Sequence, residues 1–119
     1  MRLFFSRDDD RTLPVTAFLR HMEEGRLEFA LKALKRHAEP PDPPPHALWR
    51  LARGLAESGK PKAALVPLRL FVDLYPGHGD RPAVLRDLAL ALSRCGRAAE
   101  AAEVAQRAEA SRRGVAVSS

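Results

Sequence analysis

The sequence predicts an all-α protein built from three consecutive helix–turn–helix units, and three observations lead to that reading. Gly25, Gly59 and Gly96 recur at intervals of 34 and 37 residues. An alanine follows each of them five positions later, as Ala30, Ala64 and Ala101. The stretches flanking each glycine carry apolar residues at helical rather than alternating spacing. A fixed period of this size takes precedence over any single-helix reading.

The elements follow in order. In "HALWRLARGLAES", Leu48, Leu51, Ala52 and Leu55 fall at i, i+3, i+4 and i+7. Leu85, Leu88, Ala89 and Leu92 repeat the pattern in "PAVLRDLALALSRC". Beyond the central glycine, Ala64, Leu68, Phe71 and Val72 continue a helical face that stops at Pro76. Helices are therefore expected near 13–24, 26–38, 46–58, 61–75, 82–95 and 97–112. Each glycine supplies the left-handed backbone that ends one helix, and the chain folds back as an αα-hairpin. Pro61 is compatible with the first turn of its helix. Pro67 is not: it removes a ladder hydrogen bond, so a kink or a late helix start is expected there. "EPPDPPP", residues 39–45, reads as a stiff spacer between the first two units; its other reading is a ligand for a proline-recognising module.

These residues resemble the tetratricopeptide repeat. The middle unit, counted from Pro45, matches the family's pattern with Leu48, Leu51, Ala52, Leu55, Gly59, Ala64, Leu68, Phe71 and Pro76. The third, counted from Pro82, matches with Leu85, Leu88, Ala89, Leu92, Gly96, Ala101, Ala105 and Ala108, after three extra residues in "YPGHGDRP". The first, counted from Arg11, departs most: it has Pro14, a bulky Phe18 where a small residue is usual, and His21 and His37 at normally apolar places. The resemblance implies a short right-handed α-solenoid over residues 12–112, with repeats at about 11–44, 45–78 and 82–112. Residues 1–11 would be a lead-in and 113–119 a flexible tail.

The resemblance also implies a concave groove lined by the first helix of each unit. Val15, Leu19 and Met22 would form an apolar wall in the first unit. Trp49 and Arg53 would follow in the second, and Arg86, Leu90 and Arg94 in the third. Trp49, the single tryptophan, falls on this face rather than at a core position. A tryptophan beside arginines is a hot-spot composition; the competing reading packs it between repeats. The carboxylate clamp of chaperone-binding family members would need Lys, Arg and Asn at places that here hold Val15, Leu19, Arg50, Ala83 and Asp87, so that ligand is not expected.

Composition narrows the chemistry. Net charge is +5. The abundance of Arg, Ala, Gly and Pro, with no Ile or Asn, is that of a G+C-rich genome. The basic excess is spread along the chain rather than gathered in a tail, so nucleic-acid binding through Arg50, Arg53, Arg86 and Arg94 is a lesser reading. Cys95 is the only cysteine, which excludes an internal disulfide and a cysteine-built metal site. His21, His37, His46 and His78 form no spaced metal pair, and His46 and His78 are expected to be solvated loop residues. Asp8–Asp10 is read as a solvated lead-in or helix-start charge rather than a cation site. "GHGD" follows no strand and lacks the lysine of a phosphate loop. No cofactor, metal or catalytic residue is expected. The start "MRLFFSRDDD" is too short and acidic for a secretory signal, and no apolar run is long enough to span a membrane, so a cytoplasmic place is expected.

The expected function is a non-catalytic protein–protein interaction module of scaffold or adaptor type. Its groove would hold a peptide or helix that is apolar at one end and acidic at the other. The alternatives are a homodimer formed through the terminal repeats, and a small secretion-type chaperone wrapping a partner helix.

Overall fold

The computed structural model describes residues 14–36 and 42–113, the side chains of 14, 15, 112 and 113 excepted. Within them the chain is helical throughout, with no strand. The helices are α1 (Pro14–Glu23), α2 (Leu27–Lys35), α3 (Pro45–Glu57), α4 (Pro61–Leu74), α5 (Arg81–Arg94) and α6 (Ala98–Arg113). These match the expected spans to within about two residues. The exception is the end of α2, where residues 37–41 lie outside the described part together with the lead-in, its aspartates and the tail.

The three glycine turns are built alike. Gly25, Gly59 and Gly96 have φ of 73°, 80° and 81°, a region closed to side chains with a Cβ. At the central turn the Gly59 N–H donates to the Ala56 carbonyl and the Lys60 N–H to the Leu55 carbonyl. Gly25 and Arg26 repeat this with Met22 and His21, and Gly96 and Arg97 with Ser93 and Leu92. This is the Schellman motif, which satisfies carbonyls that a helix end otherwise leaves unpaired. The alanine five residues on then donates the bond that closes the first turn of the next helix: Ala30 to Arg26, Ala64 to Lys60 and Ala101 to Arg97. Its side chain is buried in each unit. The sequence period is therefore a repeated backbone event and a repeated burial. It yields three antiparallel hairpins, α1–α2, α3–α4 and α5–α6, each packed along its length.

Prolines take the place of side-chain caps at the helix starts. Pro45, Pro61 and Pro82 sit in the first turns of α3, α4 and α5, where a missing N–H leaves no bond unmade. None of these three helices has a side-chain N-cap hydrogen bond. The late start expected from Pro67 does not occur: α4 begins at Pro61 and runs through Pro67 to Leu74. Pro67 leaves the Ala63 carbonyl without its ladder donor, yet its ring is fully buried. Packing offsets the local loss.

One core runs through all three hairpins. Phe18, Leu34, Leu48, Leu51, Leu55, Phe71, Val84, Leu85 and Leu92 are its large, fully buried members. Two regions join it unexpectedly. Pro43, in the spacer, is fully buried, and its carbonyl accepts a hydrogen bond from the Tyr75 hydroxyl at the end of α4. His78 is not a solvated loop residue; its ring lies 5.1 Å edge-on from that of Phe71. Its Nδ1 accepts the Asp80 N–H at 3.0 Å. In α6 the inward face is Ala101, Val104 and Ala108, while Ala105, placed inward by the repeat pattern, is exposed. No later helix among the described residues covers that side of α6.

Candidate functional site

Helices α3 and α5 stand on either side of α4 and leave a cleft between them. Ala52, Arg53, Ala56 and Glu57 form one wall, Asp87, Leu90, Ala91 and Arg94 the other, and Pro61 and Leu68 of α4 the floor. Its volume is about 380 Å³, near the lower bound of ligand sites and suited to one or two side chains. Leu90 is 52% exposed on the α5 wall, one of two large apolar side chains so displayed among the described residues. The small Ala56 and Ala91 keep the cleft open, so the spacing of small and large residues makes an apolar slot.

Trp49 contacts two of the lining residues, Arg53 and Asp87. It is half-buried, and its Nε1 donates to Asp87 Oδ2 at 2.7 Å. The ring meets Phe71 edge-on at 6.3 Å, and the Arg53 guanidinium lies over its other side, 5.3 Å from the centroid. An indole N–H that leaves water needs an acceptor, and Asp87 supplies it from the next hairpin. Trp49 therefore joins α3 to α5.

The remaining expected groove residues divide. Arg53, Leu90 and Arg94 line the cleft together. Arg86 is exposed on α5, one helical turn from Leu90. Leu19 is half-buried against the core. Met22 is buried at 8% exposure and is a core residue rather than a displayed wall. Val15 lies in α1, with its side chain outside the described residues. The physical reason is length: α1 and α2 have only 10 and 9 residues, and so short a hairpin commits its apolar face to its own core.

Charge in the cleft also differs from the expectation. Arg53 and Arg94 are matched by Glu57 and Asp87, so the lining is formally neutral. Read from sequence, Asp87 stands only at a clamp place, and its charge is not counted against the groove arginines. The need of Trp49 for an acceptor was the available signal, since Asp87 is among the few acids of the third unit. Among the described residues no cluster of three His, Cys, Asp or Glu side chains forms a metal site, and no helix is long and apolar enough to cross a membrane.

Burial pushes the Tyr75 phenol above its ordinary value, and the neighbouring Asp42 carboxylate adds to the shift. Both effects favour the neutral hydroxyl, the form that donates to Pro43. Comparison of the chain with protein families, curated proteins and solved structures found no match.

Proposed function

We propose that this chain is a non-catalytic protein-binding module of the tetratricopeptide type, serving as a scaffold or adaptor. The α3–α5 cleft holds a short partner segment that inserts an apolar side chain. The observation that carries this is Leu90, half exposed above a floor of Leu68 and Pro61 and flanked by alanines. A large apolar side chain held open to water beside a concave slot marks an interaction site more than a folding need. The slot offers no pairing of nucleophile and base. Its lining has no His, Ser, Cys or Lys, and Asp87 is engaged by Trp49. Arg53 and Glu57 at the rim then fix orientation rather than perform chemistry.

Peptides selected from a random displayed library against the immobilised chain test this reading. They should converge on an apolar anchor residue. Leu90→Asp should weaken the selected peptides at least tenfold, with an unchanged melting temperature, because Leu90 is exposed. Failure to converge, or equal binding by the variant, would remove the cleft from consideration.

A further inference from the structure

Beside the cleft lies a second, open depression of about 690 Å³, with a different character. Lys35 reaches it from the last turn of α2, Lys60 and Lys62 flank Pro61, and Arg94 comes from the last turn of α5. Gly59, Ala63, Val66 and Cys95 complete the lining, and no acidic side chain takes part. Lys60 is held by Glu28. Lys35, Lys62 and Arg94 make no ion pair among the described residues.

Helix ends adjust this charge without cancelling it. The carbonyl ends of α2 and α5 and the N–H end of α4 each contribute about half a unit, leaving roughly +1.5 from Lys35 and Lys62 alone, with Arg94 shared with the cleft. At the start of α4 the first intrahelical bond is from Ala64 to Lys60. The N–H groups of Lys62 and Ala63 come before it and have no helical acceptor.

Pro61 and Arg94 line both the neutral cleft and this basic depression. A segment leaving the cleft past them reaches the depression. We propose that the depression receives an acidic stretch of a partner polypeptide, continuous with the apolar residue held in the cleft. The partner's charge is thus read at the turn edge of the hairpins and not by the groove arginines, which Glu57 and Asp87 neutralise. This rests on the cleft reading for the partner's path, but the basic site has its own residues. An acidic peptide fits better than nucleic acid: no aromatic ring lines the depression to stack a base, and the cations surround one hollow instead of tracking a backbone.

A fluorescein-labelled decaglutamate peptide tests the site by anisotropy at low and moderate salt, with a ten-residue oligothymidine as comparator. Decaglutamate should bind measurably, weaken as salt rises, and bind at least tenfold more weakly to the Lys35→Glu, Lys62→Glu double variant. Both lysines are exposed, so the fold should persist, and circular dichroism checks this. Arg86→Glu, away from the depression, should change binding less than twofold. Bound decaglutamate should also slow alkylation of Cys95, the only cysteine. Leu90→Asp should leave decaglutamate binding intact, because that probe has no apolar anchor. Tighter binding of the oligothymidine, or equal binding of decaglutamate to the double variant, overturns the proposal. Neither result touches the library-selected peptides, which report on the cleft alone.

Discussion

The junction between the first and second hairpins and that between the second and third are built differently. At the second junction α4 lies broadly against α5. Phe71 is wholly buried there among Trp49, Tyr75 and His78. The Trp49–Asp87 hydrogen bond and an Arg69–Glu100 ion pair of 3.0 Å also bridge these hairpins. At the first junction, among the described residues, α2 meets α3 and α4 less extensively. Leu27 leans on Gly54, and the Lys60–Glu28 pair is exposed. Both interfaces belong to one core, and the second is the broader of the two. Hairpins of the same plan can therefore be joined over different extents; the cleft lies on the better-joined pair, while the basic depression also takes in Lys35 of the first hairpin.

The largest expected effect tests the stronger junction. Phe71→Ala should cost about 3–5 kcal/mol, read from the urea midpoint of helical circular dichroism. A loss below about 1 kcal/mol would mean that the aromatic cluster does not hold the second and third hairpins together.

Gly54 tests the weaker junction. A Cβ placed there would lie 2.7 Å from Leu27 Cδ1. Gly54→Val should drive α2 away from α3 and cost about 1–3 kcal/mol. Amide exchange should quicken in α1 and α2 and hold steady in α5 and α6. Gly54→Ala sharpens the point: the gain of about 1 kcal/mol in helix propensity should nearly offset a clash that one flexible Leu methyl can relieve. Uniform quickening along the whole chain in the valine variant would show the two junctions to be equally coupled.

Tyr75→Phe should cost about 1 kcal/mol near neutral pH, by loss of the hydroxyl bond to Pro43. The sign of its pH dependence follows from a phenol whose folded value is raised above 10.0. The stabilisation is complete below pH 10.0 and is lost as pH rises through the folded value, because the unfolded phenol ionises first. The stability gap between wild type and Tyr75→Phe should therefore close as pH rises above 10.0. A gap that widens there would contradict the burial of the phenol. The smallest effect belongs to Arg69→Ala. Both partners of its ion pair are about 40% exposed, and the loss should stay under about 1 kcal/mol.

Much of this fold was legible because its signals are local. A positive φ at a turn admits little but glycine, and the bond that closes the next helical turn falls at a fixed distance along the chain. Both leave marks at fixed spacing. What stayed hidden depends on neighbours far along the sequence. Pro43 read as a free spacer because nothing local ties it to Tyr75. Met22 read as displayed because repeat position gives a side chain's direction, not whether a short hairpin needs it inside. Ala105 read as core because the pattern assumes a following unit. Arg53, Leu90 and Arg94 line one cleft. Its neutrality was missed because a half-buried indole takes Asp87 across from another helix. The lysine-lined depression gathers residues from three separate segments and has no motif at all.

The narrow first junction has a consequence for the order in which the chain emerges during synthesis. Its first hairpin is complete at Lys35, but α3 and α4, which cover α2, are complete only at Leu74. At a ribosomal pace of about 5–20 residues per second, that interval is roughly 2–8 s. Hairpin closure takes microseconds to milliseconds, so the first unit waits with one side uncovered for far longer than it needs to form. A short α1–α2 pair that keeps Phe18 and Met22 inside limits how much apolar surface stands open during that wait.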